Sequence, residues 1–107
     1  MQPETKLRFE SRAKIIKAMG HATRLFIVSE LEKGELCVCD LQNLIGADIS
    51  TVSRHLSVLR QAGIISSRKD GNQVFYSLQC PCVLSFFDCV EKVLETTRFK
   101  ALQHLES

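Results

Sequence analysis

The 107-residue chain has no tryptophan, one tyrosine, two prolines and no long apolar run. A membrane-spanning helix needs about 18 or more consecutive apolar residues, so we expect no contact with a membrane. The first twelve residues, MQPETKLRFESR, contain no apolar signal-peptide core, which predicts a cytoplasmic protein. The sequence also lacks a phosphate loop, a dinucleotide fingerprint, an HExxH motif and a nucleophile elbow. These absences indicate that the protein is not an enzyme.

Composition and length indicate one folded domain over residues 1–107. Apolar residues make up 45% and charged residues 24% of the chain, as in ordinary globular domains, and the length suits one domain rather than two. The net charge of +2 is uninformative, but residues 50–75 carry four basic residues and one acidic residue. A local basic excess of this kind is expected where a polyanion is bound.

Apolar periodicity predicts four helices, a hairpin and a last helix. The helices are expected over residues 4–19, 22–32, 37–45 and 49–62, and from Pro81 onward over about 82–103. Gly46 ends the third helix and Asp48 is placed to cap the fourth. The Asp70-Gly71 pair lies between alternating runs and predicts a β-hairpin over about 64–78. The fold class is therefore mainly α with a β-hairpin wing: a winged helix-turn-helix, with the helix-turn-helix over about 37–62.

The fourth helix has the residue types of a DNA recognition helix. Small hydroxyls and a long cation stand in its first two turns, where base edges are reached, while its apolar residues point away. A basic, polar hairpin tip is typical of a wing that contacts phosphate or a minor groove. The plainer alternatives are a solvated helix face and an exposed turn, and Arg60 fits a phosphate contact and a solvated charge equally well. The predicted DNA contacts are Ser50, Thr51, Ser53, Arg54, His55, Arg60, Arg68, Lys69 and Asn72.

Five cysteines in a chain with no export signal favour metal, metalloid or redox chemistry over a disulfide scaffold. Cys37 stands at the N-cap of the third helix, and Asp40 follows three residues later, as in a capping box with a thiol in place of a hydroxyl. A helix N-terminus stabilises the thiolate, which is the form that binds a soft ion. Because Cys37 and Cys39 do not face each other on a regular helix, one ion could hold both only by distorting its first turn. The alternative is that both are small buried apolar residues.

Four runs carry a resemblance to a known family: residues 36–41 (LCVCDL), 50–56 (STVSRHL), 59–65 (LRQAGII) and 74–78 (VFYSL). They resemble the arsenic-repressor (ArsR/SmtB) family of winged-helix metal sensors over residues 7 to about 95, and the CVCDL run resembles its arsenic- and antimony-responsive branch. The resemblance implies a homodimer joined through its first and last helices. It also implies repression at a double-stranded operator of dyad symmetry that controls metalloid-resistance genes. As(III) or Sb(III) bound at Cys37 and Cys39 would release the protein, with no organic cofactor.

The sequence departs from that branch at one position. Arsenic-binding members often place a third cysteine three residues after the second, where this chain has Gln42. An exogenous thiol, water or a ligand from elsewhere would then complete the site. Less certain ligands are available nearer the C-terminus, where packing is the alternative role: Cys80, Cys82 and Cys89. Zinc-binding relatives use Asp and His on the last helix, and here Asp88, Glu91 and Glu95 have no histidine nearby, which favours a thiophilic ion.

Two other functions fit the same sequence. The cysteines could pair or carry persulfide, which would make the protein a thiol-redox or persulfide-responsive repressor of the same fold. Alternatively, the helix-turn-helix could serve a protein-interaction module that no longer reads DNA. A steep fall of DNA affinity with salt would argue against that module, because phosphate contacts release counterions.

Overall fold

A computed structural model describes residues 1–106, which form five helices and three strands. In chain order these are α1 (Pro3–Met19), α2 (Ala22–Glu32), β1 (Leu36–Cys37), α3 (Val38–Ile45), α4 (Ile49–Gln61), β2 (Ile65–Asp70), β3 (Gln73–Leu78) and α5 (Val83–Glu106). The predicted fold class, a mainly helical winged helix-turn-helix, is confirmed.

The helix-turn-helix packs on α2 through a small apolar core. Leu41 of α3 and Val52, Leu56 and Leu59 of α4 are fully buried, as are Ile27 and Val28 of α2. Within α4, the spacing of four and three residues between Val52, Leu56 and Leu59 gives the helix one apolar stripe. Burial of each such side chain stabilises the fold by about 1.5–3 kcal/mol.

The turn between α3 and α4 depends on a left-handed residue. Gly46 has φ of 77°, and its N–H donates to the carbonyl of Gln42 at 2.8 Å. A side chain at this φ would be strained, whereas glycine adopts it freely. Gly46 therefore ends α3 where the sequence predicted and allows α4 to begin three residues later.

The sheet has three antiparallel strands in the order β1-β3-β2. The β2–β3 hairpin turns at Gly71, which has φ of 63°, as the Asp-Gly pair predicted. Strand β1 was not predicted. It pairs Leu36 with Tyr76 and Cys37 with Phe75, so the residue that caps α3 also belongs to the sheet that forms the wing.

The start of α5 differs from the prediction. Pro81 was expected at the first helical position, but Pro81 and Cys82 form a turn and the helix begins at Val83. The N–H of Val83 donates to the Cys80 carbonyl at 3.1 Å, an i to i−3 bond that tightens the chain before the helix.

The two terminal helices leave apolar side chains exposed in the single chain. On α1 these include Leu7 and Ile16, and on α5 they include Phe86, Val90 and Val93. No helix within residues 1–106 combines the length and apolar character needed to cross a membrane. Exposed apolar faces of this kind are a pattern seen at protein-protein contacts.

Candidate functional site

The polar face predicted on α4 lies at the surface. Ser50, Ser53 and Arg54 are exposed and Thr51 is half-buried. The Thr51 hydroxyl donates to the Asp48 carboxylate at the N-cap, and this hydrogen bond is the main reason that the pKa of Asp48 is lowered. The start of α4 is therefore held by a side-chain bond, and its outer face presents two hydroxyls and one guanidinium.

His55 does not lie on that exposed face, contrary to expectation, and its role as a DNA contact stays a prediction. It is only 9% exposed, and its Nδ1 accepts a hydrogen bond from Arg24 Nε at 3.2 Å. Its ring lies 4.5 Å from that of His21, centroid to centroid. The physical reason is helical phase, because position 55 follows the buried Val52 by three residues and so lies on the buried side.

Arg24 also belongs to this site, although no sequence pattern predicted it. Its Nη1 donates to the Ala18 carbonyl at 3.1 Å while its Nε holds His55. Arg24 thus bonds the end of α1 to the middle of α4. Burial lowers the pKa of His55, and the nearby His21, Arg24 and Arg54 lower it further, which favours the neutral imidazole that accepts this bond.

The wing carries three of the predicted contacts, in different surroundings. Lys69 and Asn72 are exposed near the tip. Arg68 is exposed too, but its Nη2 and Nε lie 2.6 and 2.9 Å from the two carboxylate oxygens of Glu35. Its Nη1 is also 3.6 Å from Asp70. Arg68 is thus already paired, whereas no ion pair involves Lys69, Arg54 or Arg60 among the side chains of residues 1–103, which the structure describes.

The predicted capping box at α3 is confirmed. Cys37 is the N-cap, and its Sγ accepts the Asp40 N–H at 3.4 Å, while the Asp40 carboxylate accepts the Cys37 N–H at 3.4 Å. Cys37 is buried and Cys39 is exposed. One thiol therefore faces the protein and the other faces solvent.

This donor set fits a soft ion only after a local change. Cys37 has the extended backbone of an N-cap and a buried sulfur, whereas Cys39 lies in the first turn of α3 and is exposed, so Cys37 and Cys39 are not arranged as a ready chelate. Among the described side chains, those of residues 1–103, no group of three or more His, Cys, Asp and Glu is placed to hold a metal ion. Two thiols are suitable ligands for a thiophilic ion, but the first turn of α3 must rearrange to bring them together.

The C-terminal cysteines do not join this pair. Cys80 is half-buried, and its Sγ lies 3.9 Å from the Ile64 carbonyl. Burial, and secondarily the neighbouring Cys82, raises the pKa of Cys80, which disfavours the thiolate that an ion needs. Cys82 and Cys89 are exposed, and a ligand role for all three stays a prediction.

Known proteins resemble the chain in sequence and in fold. The family described as "Bacterial regulatory protein, arsR family" matches residues 21–67. The cadmium resistance transcriptional regulatory protein CadC homolog of Staphylococcus aureus is 46% identical over 67 residues, which are 62% of this chain and 55% of that protein. The match therefore spans little more than half of that relative.

Two solved structures share both the fold and about a third of the sequence. NolR from Sinorhizobium fredii has a TM-score of 0.78 and 31% identity, with 87% of this chain and 93% of that chain covered. The transcriptional repressor BigR from Xylella fastidiosa has a TM-score of 0.71 and 31% identity, with 87% and 96% covered. With the fold and the sequence matches in agreement, the chain belongs to the arsR family of bacterial regulatory proteins.

Proposed function

We propose that the protein is a homodimeric repressor that binds a dyad-symmetric operator through α4 and the wing. A thiophilic ion, As(III) or Sb(III), releases it by binding Cys37 and Cys39. The observation that carries the proposal is the position of Cys37, whose sulfur caps α3 immediately before α4. The relative named for cadmium resistance supports a soft ion as the signal, and the repressor BigR supports repression as the output.

DNA would be read by the exposed start of α4. Arg54 can bind a guanine with two hydrogen bonds, and Ser50 and Ser53 can donate to or accept from base edges. Lys69 has no ion-pair partner within the described residues and would meet phosphate from the wing. The positive end of α4 adds to this attraction.

Release would begin at the cap of α3. When the Cys37 sulfur turns toward an ion shared with Cys39, the Asp40 N–H loses its acceptor and the first turn unwinds. Leu41 lies in that part of α3 and belongs to the same buried cluster as Leu56 of α4. Displacement of α3 therefore changes the support of the recognition helix. A third ligand would come from an exogenous thiol or water, since position 42 is glutamine.

A second copy of the chain would cover the exposed apolar faces of α1 and α5. In a homodimer, the two α4 helices would enter successive major grooves about 34 Å apart. Sedimentation of the free protein measures its oligomeric state directly. A single species with the mass of two chains is expected, and a monomer at micromolar concentration would contradict the homodimer.

The ion site is tested by operator release. Binding of a fluorescent duplex from the region upstream of its own gene is measured by anisotropy, with arsenite, antimonite or Cd²⁺ added under reducing conditions. The wild-type protein should lose affinity about tenfold or more with arsenite or antimonite, within the usual range of allosteric coupling. The Cys37→Ser/Cys39→Ser variant should bind the duplex normally and ignore both ions. The matched control, Cys80→Ser/Cys82→Ser, should respond like the wild-type protein.

Each alternative predicts a different result in the same assay. A normal response of Cys37→Ser/Cys39→Ser would refute the proposed site. A response to Cd²⁺ alone would refute As(III) and Sb(III) as the signal, while Cys37 and Cys39 would remain the proposed ligands of a soft ion. Release by peroxide or a persulfide donor, without release by any ion, would favour the thiol-redox repressor.

A further inference from the structure

One row of residues crosses the whole sheet from the thiol site to the wing. Cys37 of β1 is paired with Phe75 of β3, and Phe75 is paired with Arg68 of β2. Side chains of directly paired residues lie on the same face of a sheet. The Arg68 guanidinium indeed lies over the Phe75 ring, 4.8 Å from its centroid. The capping cysteine and the wing arginine are therefore two ends of one cross-strand row.

Glu35 joins the two ends of this row a second time. It lies two residues before Cys37, and both of its carboxylate oxygens accept hydrogen bonds from Arg68. The hydroxyl of Ser77 on β3 donates to the same carboxylate at 3.0 Å. A bidentate arginine-carboxylate pair is among the more directional side-chain contacts. Segments 33 residues apart in sequence are thus held together next to the capping thiol.

The same contacts leave Arg68 poorly suited to bind phosphate. Two carboxylates, those of Glu35 and Asp70, lie within ion-pair distance of its guanidinium. Hydrogen bonds from Arg68 lower the pKa of Glu35, so this carboxylate stays ionised at neutral pH. The wing has a neighbouring cation, Lys69, that makes no ion pair within the described part of the chain.

We infer that Glu35 and Arg68 are positioning residues that transmit the state of the Cys37 thiol to the wing. The inference rests on the proposed function and adds a second route to the one through α3 and α4. An ion that draws Cys37 out of the N-cap moves the end of β1. The Glu35–Arg68 pair and the Phe75 contact carry this movement into β2, and the wing leaves its place on the DNA.

The test compares the wing's two cations in the full-length protein. For each variant, the dissociation constant of the operator duplex is measured with and without saturating arsenite, and their ratio reports the coupling. Arsenite binding is followed separately by its thiolate absorption. The variants are Glu35→Gln, Arg68→Gln and their combination, with Lys69→Gln as the matched loss of a neighbouring charge and Arg68→Lys as the conservative change.

A positioning role and a phosphate contact give opposite patterns. Glu35→Gln and Arg68→Gln should bind arsenite like the wild-type protein but lower the ratio about threefold or more. Their combination should lower it no further, because both remove one link. Arg68→Gln should keep the salt dependence of DNA binding. Lys69→Gln should keep the ratio and reduce the slope of log K against log salt by about one. Arg68→Lys, which keeps the charge without the fork geometry, should restore the ratio only in part.

The two ideas fail differently. If the wild-type protein neither binds arsenite nor leaves the operator, the proposed metalloid signal is refuted and the inference, which rests on it, falls with it. If the wild-type protein responds and the ratio is unchanged in Glu35→Gln and Arg68→Gln, only the role of these two residues is refuted. A reduced salt slope in Arg68→Gln with an unchanged ratio would show that Arg68 is a phosphate contact.

Discussion

Substitution of Cys37 can separate its structural role from its role as a ligand. The Cys37 sulfur accepts the Asp40 N–H at the start of α3, and the same sulfur is the proposed ligand. Serine places an oxygen acceptor at the N-cap, and alanine places none. We therefore expect Cys37→Ser to abolish the response to arsenite while it preserves the fold, and Cys37→Ala to abolish the response and weaken the fold.

The expected loss follows from the contacts of this one side chain. Removal of an oxygen acceptor at the N-cap costs about 0.5–2 kcal/mol, and a sulfur acceptor is weaker. Cys37 is only 6% exposed, so alanine also loses the packing of the sulfur, and a total near the upper half of that range is expected. For a domain of this size, each kcal/mol lowers Tm by about 4–6 °C. Cys37→Ser should stay within about 0.5 kcal/mol of the wild-type protein, as should Cys39→Ala, because Cys39 is exposed.

Urea unfolding followed by circular dichroism measures these differences. Protein concentration must be held fixed, because the stability of a dimer depends on it, and reductant without metal keeps all five cysteines free. The reasoning is refuted if Cys37→Ser is as unstable as Cys37→Ala, or if Cys37→Ala is as stable as the wild-type protein. Either result would mean that the thiol does not cap α3 in solution.

Three further predictions concern α4. Leu56→Ala should lower the free energy of unfolding by about 2–5 kcal/mol, because Leu56 is fully buried. Ile49→Ala, at an exposed position, should change it by about 0.5 kcal/mol or less. Equal urea midpoints for the two variants would contradict this. Arg54→Ala should weaken operator binding by about 1–3 kcal/mol in anisotropy titrations if Arg54 binds a guanine, and an unchanged affinity would remove it from the contacts. Burial lowers the pKa of His55, so the unfolded chain takes up a proton first as pH falls below about 6.5. The stability that neutral His55 gives is full above that pH and is lost below it, by at most about 1.4 kcal/mol per pH unit. The free energy of unfolding in urea should therefore vary less with pH between 7.5 and 5.5 in His55→Gln than in the wild-type protein. An identical pH dependence in the two proteins would contradict the burial argument.

The elements that the sequence predicted correctly are those set by local patterns. The stripe of Val52, Leu56 and Leu59 defines α4 because a helix repeats every 3.6 residues. Gly46 and Gly71 mark turns because both have positive φ. Strand β1 carries no such signal, since two residues cannot show a period. Its existence depends on pairing with β3, about 40 residues later in the chain, which only the tertiary fold brings into register.

In the candidate site, too, local sequence patterns predicted the short-range contacts and not the long-range ones. The Cys37–Asp40 capping box joins residues three positions apart, so its spacing alone predicted it. The bonds of Arg24 to His55 and of Glu35 to Arg68 join residues 31 and 33 positions apart, and no local pattern indicates them. His55 was predicted on the wrong face because its polar character was weighed above its phase relative to Val52. The phase was readable in the sequence and is the more dependable signal on an amphipathic helix.

The length of α3 supports the proposed coupling between its cap and the operator. The helix has eight residues, and isolated helices much shorter than about 12 residues are marginal in water. It is therefore held by its ends and its packing: the Cys37 cap, the left-handed Gly46 and the buried Leu41. An ion bound at Cys37 as proposed would withdraw one of these three supports from the element that precedes α4. A long helix would tolerate the loss of one N-cap bond, whereas α3 has little helical stability of its own with which to resist it.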